Sequence, residues 1–136
     1  MITEDYVSFE TAKLLKEKGF DESTSMVYMP YGDLCKLDRY DSIRNSNYND
    51  ITKNYFEYTA PTLQMAMKWL REKHNLHCVV DYDFVLGWYC QITSLKETVE
   101  YDYEEMKHYH PEKDNGFSSP EEACEAAIKY CLENLI

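Results

Sequence analysis

The sequence predicts an α+β fold, and three observations carry that expectation. An amphipathic helix over Ala60 to His74 empties through Asn75 straight into an apolar, alternating run. The segments Leu76 to Tyr82 and Trp88 to Thr93 then repeat with the two-residue period of strands that bury one face. Finally, Ser119-Pro120-Glu121-Glu122 has the form of a helix start: a capping hydroxyl, a proline at the first helical position and a carboxylate three residues beyond the cap.

From the N-terminus, Ser8 is placed to cap a helix from Phe9 to about Lys18, with Val7 just outside it and Glu10 in its first turn. Gly19 suits the left-handed conformation that closes such a helix. Phe9, Ala12 and Leu15, with Leu14 at their margin, face the core, and Phe20 folds back onto them. Thr24 to Tyr31 and Leu34 to about Asp38 then form a hairpin across Gly32-Asp33. Pro30 cannot donate a ladder hydrogen bond, so it belongs at an edge or in the turn. Residues 39 to 58 interleave four asparagines with Tyr40, Tyr48, Tyr55, Phe56 and Tyr58. Asparagine favours turns and so many rings do not all stay in water, which suggests a loop lying on the surface, with room for a short strand near Tyr55 to Tyr58.

In the second helix Leu63, Met67, Leu70 and His74 share one stripe, while Gln64, Lys68, Arg71 and Glu72 fall mostly away from it. In the following strand Cys78, Val80 and Tyr82 oppose His77, Val79 and Asp81. After a turn permitted by Gly87, Trp88, Cys90 and Ile92 oppose Tyr89, Gln91 and Thr93. A third strand is expected at Thr98 to Tyr103, where Val99, Tyr101 and Tyr103 alternate with Glu100 and Asp102. A hydrophilic loop with His108, His110, Lys113 and Asn115 leads through Phe117 to the last helix, which runs nearly to Ile136 with Ala123, Ala127, Tyr130, Cys131, Asn134 and Leu135 on its packed stripe. The expected order is α-β-β-α-β-β-(β)-α in a single domain over 1–136, with helices covering one face of an antiparallel sheet.

Composition narrows the function classes. Residues 97 to 136 hold 11 of the 25 acids and 3 of the 14 basic residues, a local net of −8 within a total of −11. Such a surface repels a phosphate backbone, so direct nucleic-acid binding is not expected and a basic protein partner, or plain solubility, is. No apolar stretch approaches the ~18 residues of a membrane span, and the start lacks the basic and apolar segments of a signal peptide. A cytoplasmic protein is expected. The cysteines Cys35, Cys78, Cys90, Cys124 and Cys131 are odd in number and include no pair at two-residue separation, which suits neither a zinc ribbon nor a disulfide framework. Buried thiols are the simplest reading, with Cys124 and Cys131 on one helix face.

Three segments carry a family resemblance: Val7 to Phe20, Ala60 to Glu72 with His74-Asn75-Leu76-His77, and Glu121 to Ile128. In them the chain resembles an uncharacterised family of small acidic proteins encoded by phages, prophages and mobile elements of gut anaerobic bacteria. The stretches 39 to 58 and 104 to 116 look peculiar to this chain. The resemblance implies an accessory protein of a bacterial cytoplasm and supplies no catalytic residue.

The residues assemble no catalytic or cofactor motif. His74, His77, His108 and His110, with Asp81 and Asp83, invite a metal-dependent hydrolase or nuclease, but their spacing matches no helix-borne His-Glu-x-x-His pattern. There is no Gly-x-Ser-x-Gly elbow and no glycine-rich phosphate loop. The sequence therefore points to a non-enzymatic interaction protein without a cofactor. Its candidate contact surface is Trp69, which beside the stripe of its helix suits the core boundary as well, together with the acidic, aromatic strand Glu100, Tyr101, Asp102, Tyr103, Glu104 and Glu105. That strand also suggests a nucleic-acid mimic inhibiting a basic host protein, or simply a charged edge that resists aggregation. Self-association through an exposed strand or helix face stays open.

Overall fold

The computed structural model describes residues 1–37, 58–95, 108–109 (as backbone) and 116–136. These fall into two compact units, Met1–Thr62 and Leu63–Ile136. Three helices and six strands are found among the described residues, and the fold is α+β.

In the first unit, helix α1 spans Phe9–Glu17, and the Ser8 side chain accepts a hydrogen bond from the Thr11 amide. Its far end closes as expected: Gly19 takes φ +89°, the Phe20 amide donates to Leu15 O and the Gly19 amide to Lys16 O, the two bonds of a Schellman close. Phe20 is thereby turned inward and buried, as are Ala12 and Leu15. Strands β1 (Met26–Tyr28) and β2 (Leu34–Lys36) form the expected hairpin, with Val27 opposite Cys35. Pro30 lies in its turn. Strand β3, Tyr58–Thr59, pairs antiparallel on the other side of β1, with Val27 opposite Thr59. The Phe9 ring lies against Tyr28 and Tyr58, at centroid distances of 5.5 and 5.7 Å.

In the second unit, helix α2 spans Leu63–His74, three residues shorter at its start than the pattern suggests. The difference has a tertiary cause. The Ala60 amide donates to Met26 O and Pro61 O accepts from the Val7 amide, so this backbone serves the first sheet rather than a helical turn. The buried stripe of α2 is Leu63, Ala66, Trp69 and Leu70, while Met67 and His74 are only half-buried. Asn75, at φ +55°, is the non-glycine residue with positive φ among those described, and it makes the abrupt entry into β4. Strands β4 (Leu76–Asp83) and β5 (Gly87–Ser94) form a full-length hairpin with Cys78 opposite Ile92 and Tyr82 opposite Trp88.

The third strand of this sheet, β6, is His108–Tyr109, paired with Ile92 and Thr93. It falls inside what the sequence suggests is a loop, and the expected strand at Thr98 to Tyr103 lies outside the described residues, as does nearly all of the stretch 39 to 58. Helix α3 spans Pro120–Asn134, and the Ser119 hydroxyl accepts from the Glu122 amide. Glu122 reaches back one residue further than a simple capping box, to the amide and hydroxyl of Ser118. Its buried face is Ala123, Cys124, Ala127, Ile128, Cys131 and Leu132. The helix is thus rotated toward its aliphatic side chains, leaving Asn134 exposed, and α2 and α3 cover the Cys78, Cys90 and Ile92 side of the sheet. Where one antiparallel sheet is expected, the strands form two, β2-β1-β3 and β4-β5-β6.

Candidate functional site: an apolar hairpin tip

The β4–β5 hairpin ends in Phe84-Val85-Leu86, and these side chains point away from the protein: Phe84 is 94% exposed, Val85 83% and Leu86 57%. Turns are normally polar, because their backbone must satisfy itself against water. Here one carboxylate supplies that satisfaction. Asp83 Oδ1 accepts from both the Val85 and the Leu86 amides, at 2.8 Å each, and Gly87 at φ +91° completes the reversal. The loop is held without help from its own side chains, so three apolar groups are left over.

The base of the tip is braced. Tyr82 and Trp88 are register partners with rings edge-to-face at 5.1 Å, and Tyr82 keeps 55% of its surface exposed. The Phe117 amide donates to Trp88 O, and Gly116 at φ +69° sits so close that a Cβ there would fall 2.0 Å from the Leu86 carbonyl oxygen. On the outer sheet face, Val79, Asp81 and Tyr89 are exposed as well. Phenylalanine, valine, leucine and tyrosine therefore gather on one projecting, pre-set element.

The opposite side of the same sheet is a sulfur-rich core. Cys78 Sγ on β4 lies 3.8 Å from Cys131 Sγ on α3, and Cys124 Sγ donates to Met67 Sδ at 3.3 Å. The Cys131 contact and then burial raise the Cys78 thiol far above its ordinary range. Burial pushes Cys90 up to about 11 and Cys124 to about 12. All three stay protonated at neutral pH, the opposite of what a nucleophile needs.

Of the two places the sequence allows for Trp69, contact surface and core boundary, it takes the core. It is 6% exposed, on the buried stripe of α2, with its ring edge-on to His74 at 4.7 Å. Burial lowers the His74 pKa by penalising the charged imidazole. His77 sits opposite Thr93 in the ladder. Asp81 accepts from the Tyr82 amide and Asp83 from the turn, so both carboxylates have local structural roles. Among the described residues no three or more His, Cys, Asp or Glu side chains are grouped to hold a metal ion. Glu100, Tyr101, Asp102, Tyr103, Glu104 and Glu105 lie outside the described residues, as does His110.

Phe84-Val85-Leu86 lie outside the candidate residues named from the sequence, although the signal is there: three consecutive apolar residues between an aspartate and a glycine, where a turn calls for polar ones. Comparison with protein-family models, with curated proteins and with solved structures gives no match.

Proposed function

We propose that this chain is a non-enzymatic interaction protein that docks the β4–β5 tip into a partner protein whose contact surface is apolar at its centre and basic at its rim. One observation carries the reading: Phe84, Val85 and Leu86 are held out in water by a turn that the Asp83 carboxylate has already satisfied. An apolar group kept exposed costs roughly 25 cal/mol for every Å² that burial against a partner would remove from water, and a pre-set loop loses little freedom on binding. Charge favours a basic rim, since residues 76 to 95 contain Asp81 and Asp83 and neither lysine nor arginine. The same charges, with the total of −11, disfavour nucleic acid. No described helix is long and apolar enough to cross a membrane. An accessory role in a bacterial cytoplasm, for a phage or mobile element, belongs to the same proposal and is supported by the resemblance of the three helical segments.

The test compares the wild-type protein with the Phe84→Ser/Val85→Ser variant as bait in a bacterial lysate at low and high salt. A basic protein retained by the wild type, lost with the variant and weakened by salt is the expected result. Retention of the same proteins by bait and variant would remove the tip from the function.

A further inference from the structure

We propose that Cys78 and Cys131 are an oxidation site, in which hydrogen peroxide converts the two thiols into a disulfide that ties β4 to α3. The geometry selects this pair. Their Sγ atoms are 3.8 Å apart and must close to roughly 2.05 Å, a displacement within reach of side-chain rotation and small shifts of the helix on the sheet. Competing pairings are poorer. Cys78 faces Ile92 in the ladder while Cys90 faces Val80, so Cys78 and Cys90 are diagonal neighbours, at roughly 7–8 Å between their backbones. Cys124 is turned toward the Met67 thioether, which forms no disulfide.

The order of events follows from exposure. Cys78 retains 8% of its surface and Cys131 none, so the small oxidant meets Cys78 first. The Cys78 sulfur attacks the peroxide O–O bond, giving a sulfenic acid and one water. The Cys131 sulfur then displaces hydroxide from the Cys78 sulfur, and that hydroxide leaves with the Cys131 proton as a second water. Two thiol hydrogens and one peroxide are consumed for one disulfide. Cys78 is held protonated in the resting fold, so the reaction is slow compared with that of an exposed cysteine and responds to sustained oxidant. The cross-link joins residues 53 apart in sequence, which restrains the unfolded chain far more than the folded one.

The experiment treats the folded wild-type chain with hydrogen peroxide, blocks remaining thiols in denaturant and maps chymotryptic peptides by mass spectrometry. The expected result is a single Cys78–Cys131 link with Cys35, Cys90 and Cys124 blocked as thiols, and a Tm raised by up to roughly 10 °C that returns on reduction with dithiothreitol. The Cys131→Ala variant is expected to show neither link nor shift. If that variant does not fold, the wild-type map decides alone. Five free thiols after treatment, or the same mixture of links from folded and from denatured protein, would overturn the assignment.

Discussion

The two hairpins of this protein solve the same problem with opposite outcomes. In β1–β2 the strands are three residues long, Gly32 at φ +89° sits over the Phe9 ring, and the Tyr28 hydroxyl donates to Val7 O at 2.6 Å. That hairpin buries Tyr28 and Val27 inside its own unit and leaves a single large side chain of its turn, Tyr31, in water. In β4–β5 the strands are eight residues long and the turn is closed by the Asp83 carboxylate and Gly87, so Phe84 and Val85 contribute almost nothing to the interior and Leu86 stays more than half exposed. Side chains left outside a turn that does not need them are available to something else.

The contrast can be broken first at its glycines. Gly116→Ala drives a methyl into the Leu86 backbone at a positive φ, and a loss of about 3 kcal/mol or more in urea unfolding is expected. Gly32→Ala meets only the Phe9 ring, at 3.4 Å, and should cost about 1–2 kcal/mol, mostly from the left-handed backbone. Equal losses would mean that the second hairpin is not braced by Gly116. Tyr28→Phe is next, at about 1 kcal/mol, because it removes a buried hydrogen bond to Val7 O and leaves that carbonyl unpaired. Phe84→Ser/Val85→Ser should change stability by no more than about 0.5 kcal/mol, since neither side chain leaves water on folding. A cost like that of a core truncation would show that the tip packs within the chain. The smallest effect concerns pH. Burial depresses the His74 pKa, so the unfolded chain binds its proton more readily, and stability should decline as pH falls from 7 through the ordinary value of 6.5 and below. Denaturation midpoints of wild type and His74→Asn between pH 7 and 5 should converge as that contribution is lost.

The parts legible in the sequence are those decided within one turn of chain. Ser8, Gly19 and Ser119-Pro120 mark helix ends because capping is a contact between neighbours, and all three act where they are expected to. The start of α2 is displaced because Met26 and Val7, distant in sequence, claim the backbone at Ala60 and Pro61. Strand pairing is likewise non-local: no periodicity in His108-Tyr109 announces that it joins Ile92 and Thr93, and none separates two small sheets from one. For Trp69 the pattern leaves core boundary and contact surface both open, because a stripe centred on Met67 puts it at the margin, whereas α2 turns Ala66, Trp69 and Leu70 inward. Burial of Cys78, Cys90, Cys124 and Cys131 follows from their apolar strand and helix positions, whereas Cys35, also expected inside, is only half-buried, and the approach of Cys78 to Cys131 depends on how α3 lies across β4.

The most direct measurement of the tip's role is photo-cross-linking in a bacterial cell, with a benzophenone amino acid placed at Phe84 and, as a control, at Lys68, which is exposed on the solvent face of α2 beside Glu72. A discrete cross-linked protein from position 84, absent from position 68 and weakened in lysate by salt, is the expected result. Identical labelling from the two positions, or none from 84, would contradict a docking role for Phe84-Val85-Leu86.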